Sequence, residues 1–69
     1  HIDCSDLDHM VVSSAYGKMR SRGFKETRNY KNGDHIIIAW YNNSTKQCVK
    51  TTEKNGKILS VNMNSDQCR

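Results

Sequence analysis

The chain has 69 residues, a formal net charge of +4 and only 35% apolar residues, with a mean hydropathy of -0.86. That length makes one small domain with a thin core, and a single core below roughly 70–80 residues rarely contributes more than about 3–5 kcal/mol, so a covalent or metal staple is expected. It leaves no room for a deep catalytic cavity, and no apolar run approaches the roughly 20 residues that span a bilayer.

The amino end is acidic, with Asp3, Asp6 and Asp8. Leu7, Met10, Val11, Ala15 and Met19 then recur at spacings of three and four, the stripe of an amphipathic helix, predicted over about 6–22. Ser5 is the N-cap candidate, with Asp6 and Asp8 complementing the helix dipole. Arg20 and Arg22 fall in the last turn, and Gly23 supplies the stop.

After Gly23 the period changes to two. A first strand over 24–31 places Phe24, Glu26, Arg28 and Tyr30 on one face. Asn32-Gly33 is read as the centre of a tight hairpin turn, because both residues accept positive φ. A second strand over 34–42 turns Ile36, Ile38 and Trp40 one way and His35, Ile37, Ala39 and Tyr41 the other. The bend Asn42-Asn43-Ser44-Thr45 leads to a third strand over 46–54, and Asn55-Gly56 to a fourth over 57–63. Leu59, Val61 and Met63 are assigned to the same covered face as Ile36, Ile38 and Trp40. The predicted fold is α+β: an N-terminal helix on a four-stranded antiparallel meander, stapled by a disulfide.

Three cysteines, Cys4, Cys48 and Cys68, allow three single bridges. Cys48–Cys68 is favoured, since it clips the tail onto the third strand and closes a loop of about twenty residues, worth about 3 kcal/mol. Cys4 is left free, bridged between molecules, or paired elsewhere. Disulfide use in so small a chain, which opens at His1 without methionine, points to a trimmed product in an extracytoplasmic compartment, periplasmic or secreted.

Catalysis finds no support in the residue pattern. Neither His9 nor His35 has a recognisable partner, no serine or cysteine sits beside a positioned base, and the acids cluster where helix capping explains them. A zinc site would show close ligand pairs such as C-x2-C, and only Cys4 and His9 lie near each other. No cofactor or metal is therefore expected, and no enzyme. Asn42 and Asn43 both open N-x-[ST] acceptors, although Asn and Ser are also what turns prefer.

Two binding surfaces remain. One is the sheet face opposite the helix, where His35, Ile37, Tyr41 and Thr51 are the expected partner-binding residues. The other is a basic strip over 18–31, from which Arg20, Arg22, Lys25 and Arg28 would attract an acidic protein, nucleic acid or another polyanion. With Tyr30, Trp40 and Tyr41 as stacking rings, nucleic-acid binding is the second reading.

The run Arg22-Gly23-Phe24, Trp40-Tyr41-Asn42, Thr45, Cys48, Asn55-Gly56-Lys57 and Asp66-x-Cys68 resembles small exported bacterial proteins with a W-[WY]-N-x-x-T-x-x-C strand signature. The helix-then-sheet order is similar to modules of the beta-lactamase-inhibitor-like and outer-membrane-assembly-lipoprotein group. The resemblance covers residues 22–68 and implies a module that binds other proteins, often enzymes, through the sheet or its loops; a monomeric inhibitor or immunity-type factor is the expectation.

Overall fold

The computed structural model describes residues 1–68 and builds the chain from a short 3-10 turn, Ser5–Leu7, one α-helix and four strands. The helix is α1 (Val12–Ser21), and the strands are β1 (Phe24–Asn32), β2 (His35–Asn42), β3 (Gln47–Lys54) and β4 (Lys57–Asn62). The strands pair antiparallel in the order β1-β2-β3-β4, with α1 packed on one face, as the sequence predicts.

The helix starts later than position 6. Ser5 opens only the 3-10 turn, whose Leu7 is fully buried. The backbone then turns at His9 (φ 67) and runs along the outer edge of β4. His9 N–H donates to the Ile58 carbonyl at 2.8 Å, Ile58 N–H to the Met10 carbonyl at 2.8 Å, and Val12 N–H to the Gly56 carbonyl at 3.0 Å. Backbone groups engaged in this pairing are not available to a helix, so α1 begins at Val12 from an extended, uncapped Val11. Its end is as expected, with Gly23 at φ +92 just beyond Arg22.

Two β-bulges set which residues face the helix. The β1–β2 register shifts between Glu26 and Arg28, leaving Thr27 as the extra residue. Phe24 and Glu26 therefore share the helix side with Trp40, while Arg28 and Tyr30 pass to the other face, correcting the single face expected for all four. On β4, Thr52 pairs with Ser60 but Glu53 with Ile58, so Leu59 is the extra residue. Ile58 becomes 1% exposed and Leu59, predicted on the covered face, is left 48% exposed, while Val61 and Met63 pack against the core as expected. The first hairpin also differs by one residue: Asn32 pairs with His35, so the turn is Gly33-Asp34 with positive φ only at Gly33. Asn55-Gly56 does form the expected turn, with φ of 54 and 79 between paired Lys54 and Lys57.

Trp40 is the centre of the core and is fully buried, with Phe24, Ile38, Val49 and Ile58 around it and Leu7, Ala15 and Met19 above. Its indole N–H donates to the Thr51 hydroxyl at 3.0 Å, and the Tyr16 ring lies 5.4 Å from its centroid at 49°. Cys48 and Cys68 are bridged, with Cα atoms 5.9 Å apart, and Cys4 is a free, buried thiol.

Candidate binding face

One sheet face carries the helix; among the described residues the other has no helix or strand over it and meets the disulfide-held tail only at its Tyr41 end. Strand alternation and register give the uncovered face its residues: Lys25, Arg28 and Tyr30 from β1, then His35, Ile37, Ala39 and Tyr41 from β2. β3 adds Cys48, Lys50, Thr52 and Lys54, and β4 adds Lys57, Ser60 and Asn62. The middle is apolar and tight. Ala39, in register between Arg28 and Lys50, is only 1% exposed, and Ile37, between Tyr30 and Thr52, is 9% exposed. Arg28 and Lys50 stand in register on either side of Ala39, and their long aliphatic stems suit an apolar floor of this kind.

No strand position on this face carries a carboxylate. Asp34 in the first turn lies 3.7 Å from Lys54 Nζ and 3.8 Å from His35 Nε2, and Asp66 lines the groove beside Tyr41 at the other end. Lys25, Lys50 and Lys57 form no ion pair among the described residues. The face is thus an apolar floor edged by cations, an arrangement that attracts a negatively charged surface.

Of the residues expected here, His35, Ile37 and Tyr41 lie on this face. His35 is half-buried at the turn end. Tyr41 is half-buried at the opposite end, where the disulfide-held tail forms a groove with His1, Cys48, Met63 and Ser65. Thr51 does not belong with them. It pairs with Ile38 in register, points to the helix and is fully buried, its hydroxyl accepting the Trp40 indole N–H. A buried tryptophan N–H needs an acceptor, and Thr51 is spent on that task.

The basic strip over 18–31 is likewise not one surface. Arg22 makes a two-pronged ion pair to Asp6, at 2.9 and 2.7 Å, and holds the Asp6 carboxyl below its ordinary range. Arg20 reaches Glu26 at 3.3 Å and stands 5.8 Å from the Trp40 ring centroid. These two arginines tie the helix end to its surroundings, while Lys25 and Arg28 stand on the uncovered face and Lys31, opposite Ile36, on the helix side. The cations missing from the strip are Lys50, Lys54 and Lys57. Their signal was present in the alternation Cys48, Lys50, Thr52, Lys54, which puts lysines on one face of β3.

Elsewhere the chemistry is structural. Asn42 is 1% exposed; its side-chain oxygen accepts from the Ser44 and Thr45 N–H groups and its amide donates to the Arg22 carbonyl. It shapes the turn and is not presented for glycosylation. Asn43 is exposed, but the Thr45 hydroxyl completing its acceptor motif is buried. Burial pushes the Cys4 thiol up, which keeps it protonated and unreactive. Among the described residues no cluster of three His, Cys, Asp or Glu side chains is placed to hold a metal ion, and no helix is long and apolar enough to cross a membrane.

No protein-family model, no curated protein and no solved structure matches the chain.

Proposed function

We propose that this chain is a small exported binding module that docks an acidic surface of another protein on its uncovered sheet face, without catalysing a reaction. The observation that carries the reading is the set Lys25, Arg28, Lys50, Lys54 and Lys57 on a face whose strand positions hold no Asp or Glu. Ile37, Ala39 and Tyr41 supply the apolar centre, and the lysines the polar rim, that protein interfaces combine. An inhibitor or immunity-type factor fits this design, because electrostatic attraction gives such factors fast and selective association. The Cys48–Cys68 bridge is compatible with an oxidising compartment outside the cytoplasm.

Alanine at His35 and Tyr41, with far-UV circular dichroism confirming the fold, should weaken the affinity of a partner captured from the exported fraction. Unchanged affinity for both variants would remove these residues from the interface. A second reading, polyanion binding, draws on Tyr30, which is 42% exposed beside these cations. A salt titration separates the two. A nucleic-acid complex weakens log-linearly with a slope set by the phosphates neutralised, whereas a protein complex with an apolar centre keeps most of its affinity.

A further inference from the structure

The two edges of the sheet are treated differently. The outer edge of β4 is occupied by residues 9–12, through the three backbone bonds to Ile58 and Gly56 and the Val11–Lys57 bridge. The outer edge of β1 has no such cover: among the described residues, no backbone bond from outside the sheet reaches Phe24–Asn32. β1 is also the longest strand, and every residue after Phe24 is exposed. An open edge is a row of unpaired N–H and C=O groups that templates another strand.

Charge decides which strand. β1 carries Lys25, Arg28 and Lys31, and its one carboxylate, Glu26, is held by Arg20 at 3.3 Å. A second copy of this chain would bring the same cations against one another, so self-pairing is disfavoured while an acidic segment is drawn in. Interface size argues the same way. A face of eight-residue strands four across offers roughly 25 Å by 15–20 Å at ordinary strand spacings. That is about 400–500 Å², below the roughly 800 Å² per partner of a standard interface. The adjoining edge is the natural extension.

We infer that β1 accepts an acidic extended segment of the partner protein as a fifth strand, continuing the sheet beside the cationic face. This rests on the acidic-partner reading above and adds the mode of recognition. The bulge at Thr27 confines regular pairing to Arg28–Asn32. Because Asn32 and His35 close a two-residue hairpin, ladder alternation turns the Asn29 and Lys31 N–H groups outward, and these are the donors the added strand would meet.

The probe is an acetylated, amidated octapeptide of alternating Thr and Glu, compared with the same peptide N-methylated at every second residue and with a Thr–Lys counterpart. The full chain is followed by amide NMR and hydrogen exchange at low salt. The acidic peptide should slow exchange at Asn29 and Lys31. The N-methylated form should bind at least about ten-fold more weakly, since it keeps the charge and loses backbone donors, and the Thr–Lys peptide should not bind. The variant carrying Lys25→Glu and Lys31→Glu should reverse the preference between the acidic and basic peptides. Equal affinity for both acidic peptides, with shifts at Lys50 and Lys54 and none at Asn29 or Lys31, would overturn strand addition and leave face docking standing. No preference for the acidic over the basic peptide would overturn both. Dimerisation of the chain alone, with protection at Asn29 and Lys31, would make a second copy the occupant and overturn the assignment.

Discussion

The two faces of this sheet are made from the same strands and have opposite chemistry. β3 sends Val49, Thr51 and Glu53 toward the helix and Lys50, Thr52 and Lys54 away from it. On the helix side the buried polar groups are consumed internally. Thr51 accepts from Trp40, and the Tyr16 hydroxyl donates to Glu53; burial first, and the Glu53 carboxylate second, push the phenol's pKa up. On the other side every charged strand residue is a Lys or Arg. Side-chain period alone thus separates a stabilising surface from one that can act on a partner.

The sharpest way to break this division lies at the β4 bulge. Ile58→Ala should cost about 2–5 kcal/mol in urea unfolding, while Leu59→Ala stays within about 0.5 kcal/mol, because only Ile58 is buried. Equal losses at the two positions would mean that the bulge is misplaced. Next comes the staple: Cys48→Ser with Cys68→Ser should cost about 3 kcal/mol for a loop closed over a separation of 20 residues, and leave the chain partly unfolded at body temperature.

A smaller contrast uses adjacent threonines. Thr51→Val should lose about 1–3 kcal/mol by orphaning the Trp40 indole N–H, and Thr52→Val, on the other face, should move the urea midpoint by no more than about 0.5 kcal/mol. The smallest effect is the pH dependence from Asp6. Arg22 lowers the Asp6 pKa in the folded state relative to the unfolded chain. Their pairing therefore stabilises fully above the unfolded carboxylate pKa and is lost as pH falls through the lowered folded value. Because Asp6 is half exposed, with a side chain 51% accessible, the contribution is at most about 1 kcal/mol. Urea midpoints of Asp6→Asn and the parent chain should converge at strongly acid pH and separate at neutral pH.

Much of this architecture is visible in the residue pattern. Alternation in β2 and β3, the Asn55-Gly56 turn and the Gly23 stop are local signals, and Cys48–Cys68 is the favoured one of three possible pairings because it clips the tail onto β3. The misses come from contacts between distant segments. Nothing local marks Thr27 or Leu59 as the extra residue of a bulge; what selects them is the fit of Phe24 and Ile58 beneath the helix. The late start of α1 depends on residues 9–12 finding the β4 edge, far along the chain. Thr51 resembles a surface residue by type, and the clue to its burial was the tryptophan that needs an acceptor. The basic strip was a cluster in sequence that folding disperses, while the cationic face was dispersed in sequence and is gathered by folding.

The most direct test of the docking face compares charge reversals on the two sides of the molecule. Lys50→Glu with Lys54→Glu alters the uncovered face, and Lys18→Glu alters the helix, with fold and stability checked by circular dichroism. Binding of the captured partner, measured by calorimetry, should fall at least about ten-fold for the face variant, equivalent to about 1.4 kcal/mol, and stay unchanged for the helix variant. Loss in the helix variant, with full affinity kept by the face variant, would contradict the assignment of the uncovered sheet face as the docking surface.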